Sequence, residues 1–220
     1  MKNFFRVLGI VVLLVVAFIL ISGIFISRAY HFERSTVIHA PKEEVWKNIS
    51  LFANIEKWDP WKAKDPGMRR SISGTDGTPG AVYSWEGNDE VGSGSQTYTR
   101  LQPYEHIMID IAFVKPFKSK AKAFYHLQQQ GDAVRLTWGF DCKMPYPMNA
   151  ISYFFIDMDD RMDKDFSTGL ANLKKLCESN VQLTAKAIHQ AVTKTGSHFR
   201  KSARRPAIAK FSEQCVSRGF

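Results

Sequence analysis

Hydrophobic and polar positions divide this chain into three stretches with different periods. From Val7 to Ile26 there is no charge over about 20 residues, the length that crosses a bilayer's hydrocarbon core as a helix. Lys2 and Arg6 precede this run and Arg28 follows it. A cleavable signal has a shorter apolar region, about 7–15 residues, followed by a small-residue processing site. Ser22-Gly23 and Ser27-Arg28-Ala29 are the only candidates for such a site, so a retained anchor over residues 1–29 is favoured over a removed signal. The basic residues near the span do not fix its orientation. A short basic start followed by an apolar run reads like an export signal, which favours an extracytoplasmic placement of the residues beyond the span.

The second stretch is strand-like. His31 to His39 predicts a strand, and Pro41 followed by Glu43 and Glu44 predicts a helix start, with Val45, Trp46 and Ile49 on one face. Leu51 to Lys57 predicts a second short helix, stopped by Trp58-Asp59-Pro60-Trp61. Ala81 to Glu86 alternates and places Tyr83 and Trp85 together. Ser95 to Leu101 predicts the next strand. Ile107, Ile109, Ile111 and Phe113 share one side of another, and Ala121–Leu127 and Val134–Phe140 form a hairpin across Gly131-Asp132. In the last of these, Val134, Leu136, Trp138 and Phe140 face one way.

From Asn149 the period changes. Apolar residues recur by threes and fours at Ile151, Phe154, Phe155, Met158, Met162, Phe166, Leu170, Leu173 and Leu176, which predicts one long amphipathic helix over 149–178. A strand, two short helices, an antiparallel run of strands and a long helix make an α+β domain over 30–180. The helix is expected to lay its apolar stripe on the concave face of the sheet. Residues 181–220 read as a basic, flexible extension.

Charge sharpens this division. The formal net charge is +9, yet from Ser27 to Asn180 basic and acidic residues match one for one. The surplus sits at Lys2, Arg6 and the tail, where only Glu213 opposes eight basic residues. A folded part without net basic charge does not suggest a nucleic-acid partner. The three cysteines, Cys142, Cys177 and Cys215, form no CxxC pair and have no zinc spacing, and unpaired residues in or near the core are favoured over a disulfide.

Particular stretches carry a family resemblance. Glu33-Arg34-Ser35 to Ala40-Pro41-Lys42-Glu43-Glu44-Val45-Trp46, Trp58-Asp59-Pro60-Trp61, Tyr83-Ser84-Trp85-Glu86-Gly87-Asn88, Lys115-Pro116-Phe117, and Asp165-Phe166 to Gly169-Leu170-Ala171-Asn172-Leu173-Lys174 resemble the polyketide cyclase/dehydrase-like branch of the SRPBCC superfamily. The resemblance covers about residues 30–178 and implies the helix-grip fold: a curved antiparallel sheet wrapped on a long C-terminal helix. It also implies a cavity between them that holds sterols, lipids, quinones or aromatic polyketides in relatives.

The expected lining is Tyr83, Trp85, Tyr98, Ile109, Ile111, Phe113, Tyr125, Trp138 and Phe140 from strands, with Phe154, Phe155, Met158 and Met162 from the helix. Trp58 and Trp61 are placed at a mouth, as gate or as plug, and Met144 and Tyr146 on its rim. Aromatic rings and adaptable methionines suit an apolar pocket, although the same stripe also fits a solid core. Gly92-x-Gly94 reads as a hairpin turn, not a phosphate loop. Asp157, Asp159, Asp160, Asp163 and Asp165 read as a solvated helix face with i,i+4 partners, not a metal site. By alternation His126 points away from the cavity.

No nucleophile–base motif, cofactor fingerprint or metal-ligand spacing is present, and no cofactor is expected. Three functions compete. The leading one is a membrane-anchored binder of a lipid, isoprenoid or aromatic molecule. The others are a cyclase-type enzyme, which requires a polar pair deep in the cavity, and a protein-binding module like the chaperone-activating members of the fold, which requires a filled core and an exposed apolar patch.

Overall fold

The computed structural model describes residues 1–203, with side chains described through Ala187 and again at Gln190. Its elements are α1 (Lys2–Phe25), β1 (Ala29–Ile38), α2 (Lys42–Ser50), α3 (Phe52–Ile55), α4 (Trp61–Lys64), β2 (Arg69–Ser73), β3 (Val82–Glu86), β4 (Ser93–Gln102), β5 (His106–Lys115), β6 (Ser119–Gln130), β7 (Ala133–Lys143), α5 (Met148–Phe155) and α6 (Met158–Ala203). The chain divides into two compact units, Met1–Glu178 and Ser179–Phe220. In the second, the described residues Ser179–Ala203 are helical, so the basic extension begins as helix; the remainder of that extension lies outside the described residues.

The seven strands form one antiparallel sheet in the order β1-β7-β6-β5-β4-β3-β2. Residues facing each other across neighbouring strands share a face, so the register sorts the two faces without ambiguity. Ile107, Tyr125 and Trp138 lie in one inward row, and Ile109, Ala123 and Phe140 in the next. On the outward face Phe124 lies over Gly139 and stacks on His31 and His106, with His126 beside them, as alternation requires. Strand β2 has no counterpart among the elements expected from hydrophobic patterning. Arg69-Arg70-Ser71-Ile72-Ser73 is polar and forms an edge strand, where a row of inward apolar residues is not needed.

The expected helix-grip architecture is present, with one correction. The apolar stripe from Asn149 does not belong to a single helix. The chain breaks at Ile156 and Asp157, and the Asp157 carboxylate accepts the amide of Asp160 at 2.9 Å, capping the start of α6. A side-chain oxygen that satisfies a free first-turn N–H favours a new helix over continuation of the old one. Asp160 pairs with Lys164 at 2.6 Å, as i,i+4 spacing predicts. Among the described residues no group of His, Cys, Asp and Glu is arranged to hold a metal.

Helix α6 covers the sheet through Phe166, Leu170, Leu173 and Cys177, all buried. Burial pushes the Cys177 thiol up to about 12, and both Cys177 and Cys142 are free; Cys215 lies outside the described residues. Arg34 of β1 pairs with Asp163 of α6, and Lys174 donates to the Val37 carbonyl at 2.9 Å, tying the helix to the first strand.

Candidate functional site

The aromatic residues expected to line a hollow meet each other. Trp138 stacks on Phe166 with ring centroids 4.0 Å apart and takes Trp58, Trp61 and Tyr125 at 5.5, 5.8 and 5.6 Å. Phe52 stacks on Tyr98 at 4.0 Å and lies 5.5 Å from Tyr83. Gly169 lets α6 approach this close: a Cβ there would sit 2.8 Å from the Trp138 ring and 3.2 Å from Pro60. Beneath this part of α6 these rings pack directly on one another.

Trp58 is 2 % exposed, and its indole N–H donates to the Asn48 carbonyl at 3.0 Å. It packs against Tyr125 and Trp138 in the interior. Trp61 is half-buried and donates to Asp165, which also holds Lys64 at 2.6 Å. Tyr83, Tyr98, Ile109, Ile111, Tyr125 and Trp138 are buried, while Trp85, Phe113, Phe140 and Met162 are half-buried at the margins of the same interior.

Phe154 and Phe155 lie elsewhere. Both are exposed, and neither faces the sheet, because the break at Ile156 turns α5 onto α1. Asn149 Nδ2 donates to the carbonyls of Gly23 and Ile26, each at 2.8 Å, and the Tyr146 hydroxyl donates to Leu20 at 3.0 Å. The Phe154 ring lies 5.3 Å from Phe18. Gly23 faces Tyr146 and Ala150 so closely that a Cβ would stand 3.0 Å from the tyrosine ring. Tyr146, expected on the rim of a mouth, is instead a docking contact.

This rearrangement opens a concavity of about 830 Å³ between the end of α1, the start of β1, α5 and the start of α6. Met144, Phe154, Phe155 and Met158 line it, joined by Ile26, Tyr30, Asn149, Ser152 and Asp159. A second, almost wholly apolar groove of about 430 Å³ adjoins it, sharing Ile26, Tyr153 and Phe154 and adding Phe18, Ile21 and Phe25. Tyr30 donates its hydroxyl to Asp159 at 2.8 Å, and burial followed by that carboxylate pushes the phenol well above the usual tyrosine range. Tyr30 therefore stays neutral and donating. Asn149, 2 % exposed, keeps its Oδ1 without a donor from the protein. The concavity thus combines apolar walls with a few acceptor groups, and its volume is that of an ordinary ligand site.

A second polar group sits inside the sheet. Arg70 faces inward opposite Trp85; its side chain is 10 % exposed, with Nη1 3.5 Å from Glu56 and Nη2 3.6 Å from Asp59. Burial raises the Asp59 carboxyl above its ordinary value, against the opposing effects of the Trp61 amide and Arg70. Sequence reasoning missed Arg70 because β2 was not recognised, although the alternation of Arg70 and Ile72 was its signal. It missed Tyr30 and Asn149 because nothing local marks either.

The sign of the Asp59 effect is testable. A carboxyl whose folded pKa is raised contributes stability below the ordinary carboxylate range and loses it as pH rises through the folded value. Asp59→Asn keeps the acceptor for Trp61 N and cannot ionise. Urea unfolding from about pH 4 upward should show wild-type stability declining relative to the variant; parallel profiles would refute the assignment.

Similar folds are known. A structural-genomics protein of Nitrosospira multiformis is 19 % identical, with a TM-score of 0.51 over 70 % of this chain and 99 % of its own. The di-domain ARO/CYC StfQ of the steffimycin biosynthetic pathway is 10 % identical, with a TM-score of 0.52 over 70 % of this chain and 52 % of its own. At these identities the likeness is one of fold. No curated protein matches the sequence significantly. Residues 29–178, the whole of the sheet and the part of α6 that covers it, match the family described as polyketide cyclase / dehydrase and lipid transport, and the chain belongs to that family.

Proposed function

We propose that this protein is a membrane-anchored binder of an amphipathic hydrophobic molecule, a lipid or isoprenoid, held in the concavity between α1, α5 and the start of α6. The observation that carries this reading is the position of the concavity. It adjoins the end of α1, the one helix among the described residues long and apolar enough to cross a membrane. A chain lying along Phe18, Ile21, Phe25, Tyr153 and Phe154 would bury apolar surface at about 25 cal/mol per Å², less the cost of ordering. Its polar end would meet Asn149 Oδ1, Ser152 and the Tyr30–Asp159 pair, an acceptor-rich set that favours a hydroxyl or amine. The family's description, which includes lipid transport, supports the same class of ligand.

The test is native mass spectrometry of the full chain after mild extraction. A lipid-sized adduct is expected on the wild type and should be largely lost in Met158→Trp, which fills the concavity from its wall. Lipids merely clinging to α1 would survive that substitution, so equal occupancy in both proteins refutes the site.

The buried Arg70–Glu56–Asp59 group favours a second reading, a cyclase-type enzyme, because it supplies a fixed cation beside a carboxyl of raised pKa on the inward face. Turnover of an aromatic polyketide substrate that is abolished in Arg70→Gln would support it.

A further inference from the structure

We infer that the segment Met144–Ile156, carrying α5, is immersed in the same bilayer leaflet that α1 enters, so that the apolar side of the ligand concavity, along Phe154 and Phe155, opens sideways into the acyl-chain region, with Asp157 and Asp159 at its polar edge. This deepens the proposed binding function and rests on its anchoring part.

Depth along α1 requires this placement. The uncharged apolar run that α1 carries ends at Ile26, the residue capping the helix, and Arg28 is the first charge beyond it. Phe18 precedes Ile26 by eight residues, about 12 Å along a helix. Because α5 is docked on this part of α1, through Tyr146 to Leu20, Asn149 to Gly23 and Phe154 to Phe18, it cannot stay outside the bilayer while residues 18–26 lie within it. Moving the boundary back to Phe18 would leave residues 2–17 to span, about 24 Å of helix against a hydrocarbon core of about 30 Å.

The sequence of the docked segment fits that location. Between Lys143 and Asp157 there is no charged residue. Tyr153 and Phe155 are 71 % and 68 % exposed, which an aqueous surface disfavours and a lipid boundary rewards. The polar groups nearest α1 are turned inward: Asn149 spends its donors on α1 carbonyls, and Tyr146 spends its hydroxyl on another. Pairing these donors inside the protein is what a lipid-immersed segment requires, since water is not there to accept them. Arg28, whose Nε donates to the Met144 carbonyl at 3.1 Å, fixes one end of the segment at the level of the first charge beyond the span. A leaflet of acyl chains is therefore the partner that covers α5.

Depth-dependent fluorescence quenching tests this on the full chain, with native cysteines replaced and single bimane-labelled cysteines placed at Phe155, Tyr153, Leu13 and Asp132. Leu13 reports the span. Asp132, in the turn between β6 and β7, lies at the opposite end of β7 from Lys143. In phosphatidylcholine/phosphatidylglycerol vesicles carrying a nitroxide at acyl position 5, Phe155 and Tyr153 labels should be quenched at least twofold more than the Asp132 label. If Leu13 is quenched while Phe155 and Tyr153 match Asp132, α1 spans but α5 stays outside, and the inference falls alone. If Leu13 also escapes quenching, the anchoring falls with it.

Discussion

Trp138→Ala should lower the stability of the folded domain by about 3–5 kcal/mol, the range seen when a large buried aromatic is truncated. Trp138 is 4 % exposed and touches four rings, from α6, β6 and the segment on either side of Pro60. Removing it empties the point where the helix, the sheet and the Trp58–Trp61 segment converge. The rigid neighbours Phe166 and Trp58 have little freedom to collapse into the gap. Phe166→Ala should cost a similar amount, and the double variant less than the sum, because each ring's loss already strands the other. Urea unfolding followed by circular dichroism measures all three. A cost near 1 kcal/mol for Trp138→Ala would mean the ring cluster borders empty space, and that the cavity lies beneath α6 after all.

Asn149→Ala should loosen the junction between α1 and α5 by about 2–6 kcal/mol, the sum for one buried and one part-buried carbonyl left without donors. The carbonyls of Gly23 and Ile26 belong to the last turn of α1 and its cap, where helix geometry supplies no partner. Asn149→Asp should be worse, because a carboxylate brings acceptor oxygens against acceptor oxygens. Hydrogen exchange on the full chain reads the effect directly: amides of 144–156 should exchange much faster in both variants, with those of β5 to β7 unchanged. Unchanged exchange in α5 would show that Tyr146 and the Phe18–Phe154 contact suffice to hold it. The stability change expected from Trp138→Ala is global and this one is local, so the two variants probe different halves of the structure.

The sequence marked some elements clearly and others not at all. Alternation identified β3 and β5 to β7 because each has one buried face, and the β6–β7 turn because Gly131 must adopt a positive φ. It passed over β2, an edge strand whose exposed, polar residues carry almost no alternating burial. Among candidate site residues, Met144, expected on the rim of a mouth, and Met158, expected between helix and sheet, both line the concavity beside the end of α1 and α5. Trp58 was expected at a mouth, as gate or as plug; its burial against the backbone of Asn48 in α2 was not legible, because that partner is met only in the fold.

What the chain determined by itself was the apolar N-terminal helix, the antiparallel sheet and the amphipathic face that covers it, because each follows from a local run or period of hydrophobic positions. Only the tertiary structure decided which surface each stripe meets. Phe154 and Phe155 continue the same three-and-four spacing as Phe166 and Leu170, yet Phe154 lies beside Phe18 of α1 and Phe155 is exposed, while the second pair is buried against the sheet. Periodicity records that a face avoids water; it carries no information about whether a strand, another helix or a lipid leaflet provides the shelter. That choice depended on a local capping carboxylate at Asp157, which ends one helix and starts the next, and on two hydrogen bonds from Asn149 that are made across the fold and are therefore silent in the order of residues.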